Sequence, residues 1–127
     1  MANRVATVLG LGFLLVGIIG FLVPGFLGAH LTLAHNIIHL VTGAVSLWIG
    51  LKGTPSAAKT FCIVFGAVYV LLGIAGFVAG TGEMKMLTII PGQLELGTVD
   101  HIIHIVLGAI YLVGGLATRA VPRAATV

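Results

Sequence analysis

Long apolar runs separated by short polar breaks dominate this sequence. The first, VATVLGLGFLLVGIIGFLV, extends from Val5 to Val23 without a charge and stops at Pro24-Gly25. The second goes from about His35 to Leu51, ahead of the break KGTPSAAK. The third covers Phe61 to Ala79 and closes on GTGE, and the fourth covers His101 to Thr118 and closes on Arg119 and Pro122. Each approaches the roughly 20 residues that carry a helix across a bilayer. Hydrocarbon offers no water to satisfy N–H and C=O groups, so a spanning run must be helical. The pattern therefore predicts an all-α membrane protein of four transmembrane helices. Gly recurs in all four, as membrane helices tolerate better than soluble ones.

A short basic start, MANR, precedes the first run, which raises the alternative of a signal peptide. No small-x-small cleavage motif follows, and the run is long for an h-region. A retained helix is expected.

Composition strengthens the membrane reading. Of 127 residues, 59% are hydrophobic and 7% charged, against about 25% charged in soluble domains. So short a chain with so few polar groups must turn its surface to lipid, and it forms one domain, 1–127. The formal net charge is +3, but the six Lys and Arg are scattered, so no nucleic-acid footprint exists. They report orientation instead. Arg4, Lys52, Lys59, Arg119 and Arg123 fall on one side; Lys85 falls on the other with Glu83, Glu95 and Asp100. By the positive-inside rule the first side is cytoplasmic, with both termini inside a bacterial inner membrane. The single cysteine, Cys62, excludes an internal disulfide.

The chain also repeats itself. HNIIHLVTGAVSLWIGL and DHIIHIVLGAIYLVGGL align at an offset of 65, placing His39 on His104, Gly43 on Gly108 and Gly50 on Gly115. Nine of sixteen positions from Asn36 to Leu51 are identical. Run one aligns with run three at an offset of 56, with Gly10, Gly17, Gly20 and Phe21 on Gly66, Gly73, Gly76 and Phe77. Seven of fourteen positions from Val8 to Phe21 agree there. Apolar bias explains shared Leu and Val; it does not explain His and Gly in register. The expected architecture is two tandem helical hairpins, about 4–51 and about 60–118, as parallel repeats about an axis along the membrane normal.

The glycines then read as packing surfaces. Burying Leu drives no association in lipid, whereas small residues let backbones approach. Gly17, Gly43 and Gly50, and Gly73, Gly108 and Gly115, are the expected packing positions, with Ser46 and Tyr111 on the same stripes as His39 and His104. A gap that admits a flat cofactor is the alternative. Between the third and fourth runs, Pro91-Gly92 breaks two short amphipathic pieces, EMKMLTII and LELGTV, into a small hairpin or an interfacial segment. Met84 and Met86 there read as interfacial packing rather than copper ligands.

All five histidines, His30, His35, His39, His101 and His104, fall at one end of the spans. His35 and His39 share a helix face, as do His101 and His104. His39 and His104 lie one turn below the boundary, roughly 6 Å at 1.5 Å per residue, where polar groups turn away from lipid. Three roles compete. Imidazoles tie helix ends to loops, with Asn36 and Asp100 nearby and Asp100 as an N-cap. Alternatively His39, His104, His35 and His101 hold a metal ion or a tetrapyrrole, with Asn36 and Asp100 as supporting residues. Or the cluster titrates as a pH sensor or proton relay. The HxxxH spacing of HNIIH matches membrane di-iron enzymes, but those need about eight histidines on the cytoplasmic side. No Ser/His/Asp set, phosphate loop or in-span carboxylate pair suggests catalysis, and no charge lies deep in a span to serve transport.

Asn36, His39 and Gly43 form N-x-x-H-x-x-x-G, and Asp100, His104 and Gly108 form D-x-x-x-H-x-x-x-G. On these motifs, and over nearly the whole chain, the sequence resembles a family of small bacterial four-helix membrane proteins known only as a domain of unknown function. The resemblance implies the fold and no activity. The expected role is non-catalytic: an accessory or structural subunit of a membrane assembly, partnered by lipid and by other membrane subunits or itself, with no cofactor required. The alternative is a metal-, haem- or chlorophyll-binding protein using the histidines.

Overall fold

The structure, a computed structural model, describes residues 1–119; Pro122 and Arg123, expected to end the fourth helix and mark its cytoplasmic flank, lie outside them. The elements run α1 (Ala2–Leu22), a 3-10 turn (Phe26–Gly28), α2 (Leu33–Lys52), α3 (Pro55–Ala79), β1 (Leu87–Ile90), β2 (Leu94–Leu96) and α4 (Thr98–Leu116). All four helices are long and apolar enough to cross a membrane. The chain is a multi-pass membrane protein whose outer face contacts lipid: Leu11, Leu15 and Ile18 of α1 and Val106, Ile110 and Val113 of α4 are exposed along it.

Two boundaries differ from the hydropathy reading, and local chemistry explains both. α3 starts six residues before Phe61. Thr54 caps it, accepting from Ala57 N at 3.1 Å, and Pro55 occupies the first turn, where its missing N–H costs nothing. The charged stretch expected as a loop is thus mostly helix, and the connection shrinks to Gly53-Thr54. α4 starts at Thr98 with Gly97 as its N-cap. Asp100 is therefore not the N-cap. It sits at the third helical position, and its carboxylate reaches back to accept from Gly97 N at 2.9 Å.

The segment after α3 is a small hairpin. β1 and β2 pair antiparallel with Leu87 opposite Leu96, Thr88 opposite Glu95 and Ile90 opposite Leu94, with a bulge between Thr88 and Ile90. Gly92 turns the chain at φ 69°. Thr98 Oγ1 donates to Met84 O at 2.9 Å, fastening the hairpin to the start of α4.

α1 packs along α2 and α3 along α4, while contacts between the two hairpins are sparser. A Cβ placed on Gly10 would lie 2.6 Å from Leu47 N, and one on Gly43 2.7 Å from Leu14 N. In the second hairpin, a Cβ on Gly66 would lie 2.8 Å from Leu112 N and one on Gly108 2.7 Å from Val70 N. These four contacts recur at the sequence offsets of 56 and 65. The same holds for Gly17 on Leu40 and Gly73 on Ile105, and for Gly50 on Thr7 N and Gly115 on Ile63 N. Close approach of this kind, to backbone at Gly10, Gly43, Gly50, Gly66, Gly108 and Gly115 and to side chains at Gly17 and Gly73, accumulates van der Waals energy that lipid does not match.

Between the hairpins the core is layered. Ala2, Ala6, Ala58 and Cys62 fill the end that carries the N-terminus, and Phe13, Tyr69 and Tyr111 fill the middle. Phe13 and Tyr69 are equivalent at the offset of 56 and meet with ring centroids 5.5 Å apart. Ser46 and Tyr111 are equivalent at the offset of 65 and share a hydrogen bond of 2.8 Å. At the N-terminal end Asn3 Nδ2 donates to Gly53 O at 2.9 Å and Lys59 Nζ to Thr118 O at 2.6 Å. Each neutralises carbonyls left open at a helix end.

The glycine seams predict a size-selective response. Gly43→Leu and Gly108→Leu should each destabilise the detergent-solubilised protein by at least about 1–3 kcal/mol, the cost of overpacking. Ala44→Leu, on the exposed face beside Gly43, should leave the thermal midpoint nearly unchanged. Scanning fluorimetry of the three variants checks this.

Candidate functional site

The histidine end is built from three pieces. α2 opens at Thr32, whose hydroxyl accepts from His35 N at 3.3 Å and donates to Gln93 O of the hairpin turn. This registers His35 and, one turn on, His39 toward the interior. α4 opens at Gly97 and brings His101 and His104 inward. The stretch between α1 and α2 folds across the top, and His30 N donates to Asp100 Oδ2 at 3.3 Å, with the His30 ring 3.5 Å from the same oxygen.

The four candidate histidines do not form one set. His35, His39 and His104 cluster: ring centroids are 4.3 Å apart for His35 and His39, and 6.2 Å for His35 and His104. They are 3%, 8% and 6% exposed, so all three are interior groups. His101 stands apart. Its Nε2 donates to Lys85 O at 2.7 Å, and its ring lies on Gly76, where a Cβ would come within 2.1 Å of Nδ1. It pins the hairpin segment to the bundle. Asn36 does the equivalent work in the first half, lying on Gly20 and donating from Nδ2 to Leu31 O at 3.3 Å.

Main-chain carbonyls fix two of the clustered imidazoles. His35 Nδ1 donates to His30 O at 2.7 Å, and His104 Nδ1 donates to Asp100 O at 2.6 Å. A carbonyl only accepts, so both Nδ1 atoms carry a proton, and in the neutral form of each ring Nε2 is the acceptor. Asp100 supports His104 through its main chain; its carboxylate serves Gly97 and His30 instead. His39 Nδ1 is buried with no hydrogen-bond partner among the described residues. Its ring is held by packing, 5.5 Å from that of Phe13. Tyr69 lies against His104 at 5.0 Å.

These rings face a cavity of about 190 Å³ between α1 and α4. Leu9, Gly12, Phe13 and Val16 form one wall, Ile103, His104 and Leu107 another, His35, His39 and Asp100 the polar side, and the 26–31 stretch the roof. Gly12 is exposed, and a Cβ added there meets nothing within 4 Å. It sits mid-way along a membrane-spanning helix, so the mouth opens on hydrocarbon. Among the described residues no group of three or more His, Cys, Asp or Glu is placed to hold a metal ion. The volume also falls below the roughly 300–1,000 Å³ of pockets for drug-sized ligands.

A family model described as Domain of unknown function (DUF4383) matches residues 25–117. The chain belongs to the DUF4383 family. No curated protein and no solved structure matches it. The matched region of this DUF4383 protein carries all five histidines, α2, α3 and α4, and the α1 wall of the cavity lies outside it.

The spacing of the imidazoles was visible in the chain; the cavity, and the Phe13–Tyr69 ring pair packed beside His39 and His104, were not. Phe13 and Tyr69 carried a usable signal, being aromatic at equivalent positions of the two halves. Gly12 carried one as well, as the glycine of α1 with no counterpart in α3, where Val68 stands.

The division of labour among the histidines predicts separable effects. His101→Leu should release the hairpin and raise amide exchange across residues 81–97 by about tenfold, the equivalent of one buried hydrogen bond. His39→Leu should leave exchange there unchanged. Hydrogen–deuterium exchange with mass spectrometry reads both.

Proposed function

We propose that this DUF4383 protein is a non-catalytic membrane binding protein that holds a small lipid-soluble molecule in the cavity lined by His35, His39 and His104. One observation carries the reading: three interior imidazoles, two with Nδ1 tied to main-chain carbonyls, line a cavity that also borders Gly12, exposed mid-way along the membrane-spanning α1. Polar groups at membrane depth are costly unless partnered, and a purely structural cluster would close on itself. A ligand with one polar end and an apolar body satisfies both the imidazoles and the apolar walls. The role is binding rather than turnover, because Asp100, the carboxylate of the cavity wall, is committed to loop N–H groups.

In this reading the two hairpins are tandem repeats about an axis along the membrane normal, supported by glycine contacts that recur at both offsets. The positive charges of Arg4, Lys52, Lys59 and Arg119 support cytoplasmic termini, and with them a cavity in the exoplasmic half of a bacterial inner membrane.

The test is purification from native membranes in mild detergent, followed by mass spectrometry of extracted small molecules. The expected result is about one equivalent of a lipid-soluble compound, lost from His39→Leu/His104→Leu protein. An empty protein that co-purifies stoichiometrically with other membrane chains would overturn this reading in favour of an accessory subunit. A stoichiometric metal lost with the same histidines would overturn it in favour of a metal site.

A further inference from the structure

The hydrogen-bond polarity of the cavity says more about its occupant, on the reading that the cavity is a binding site. We infer that the ligand is a hydroxyl donor on a single aromatic ring, a hydroquinone or phenol carrying an apolar tail.

His35 and His104 spend their Nδ1 protons on His30 O and Asp100 O, so each neutral ring keeps a lone pair at Nε2, and both residues line the cavity. Two acceptors bordering one apolar pocket, on rings whose centroids are 6.2 Å apart, select a ligand that donates. A ligand with carbonyl oxygens alone would set acceptor against acceptor at both rings. His39 is more than nine-tenths buried and lines the same wall, with an unpartnered Nδ1.

Volume selects the body of the ligand. A cavity of about 150 Å³ lined by Leu, Ile and Phe takes benzene. The space here is about 190 Å³, enough for one substituted ring. The flanking aromatic groups suit a flat occupant: Phe13 and His35 line the cavity, and Phe13 is 5.5 Å from both His39 and Tyr69. Aromatic pairs at such separations gain beyond simple area burial. The mouth at Gly12 lets a tail leave sideways among lipid chains. Delivery from the membrane phase also explains why the polar side of the pocket is roofed by the 26–31 stretch.

The test uses the full chain in lipid nanodiscs under anaerobic conditions. The probes are a decyl-substituted benzohydroquinone, the matching oxidised benzoquinone, dodecanol and lauric acid. Affinity is measured by titration calorimetry, and ¹⁵N signals of the imidazoles report where each probe sits. The hydroquinone should bind about tenfold or more tightly than the quinone, the consequence of a buried hydrogen bond made or lost. It should move the Nε2 signals of His35 and His104 and leave His101 in place. Gly12→Phe, at a lining position where an added Cβ meets nothing within 4 Å, should abolish binding by filling the mouth while the protein stays folded. Equal or tighter binding of the quinone overturns the donor assignment and leaves a binding cavity standing. Tighter binding of dodecanol or lauric acid overturns the aromatic ring. Undiminished affinity in Gly12→Phe overturns the location, and failure of every probe to bind takes the proposed function down as well.

Discussion

Within hydrocarbon no water satisfies a polar group and no hydrophobic force drives apolar helices together. That double constraint organises this molecule. Helices associate where glycine lets backbones touch, at Gly10 and Gly43 in one hairpin and at Gly66 and Gly108 in the other. Polar side chains turn inward and find carbonyls: Ser46 on Ala6 O, Asn36 on Leu31 O, His101 on Lys85 O, His104 on Asp100 O. Where a neutral ring has one nitrogen donating in this way, its other nitrogen is an acceptor. The acceptor character of the cavity follows from how the helix ends are fastened.

The two halves are similar without being identical, and the differences fall where the cavity is. His35 has Asp100 as its equivalent at the offset of 65, so a histidine of the first half answers to the carboxylate that holds the roof in the second. Leu9 and Gly12 of α1 correspond to Phe65 and Val68 of α3. The α1 side of the bundle therefore carries less bulk at the level where the α3 side carries a phenyl ring and a branched side chain. Phe65 lies among the aromatic rings of the core, 5.3 Å from Tyr69 and 6.0 Å from Tyr111. A pair of like hairpins thus leaves space along the α1–α4 seam.

Much of this was legible in the residues. Uninterrupted apolar runs gave four spans, since length and charge alone decide that question in a membrane. Glycines in register located the seams before any coordinate. The boundaries at Thr54-Pro55 and Gly97 were less legible, because hydropathy follows side-chain polarity and helices begin where capping allows. Lys59 belongs to α3 despite its charge, its stem running along the helix while its ammonium caps α4. The site was half legible. Spacing placed His35 beside His39 and His101 near His104, yet it did not separate His101, which faces Gly76 and the hairpin, from the other three. That separation depends on which loop carbonyl each ring reaches. The cavity was invisible for a related reason: it is defined by missing side-chain volume between α1 and α4, and a one-dimensional pattern does not report who sits opposite whom.

The account rests on His35 and His104 donating through Nδ1 and presenting a bare Nε2 to the pocket. Magic-angle-spinning NMR of ¹⁵N-histidine-labelled protein in lipid bilayers observes this directly. The predicted spectrum shows both residues with protonated Nδ1, unprotonated Nε2, and ring-to-ring contact between them. Protonated Nε2 on either ring, or rings too far apart to correlate, would contradict it.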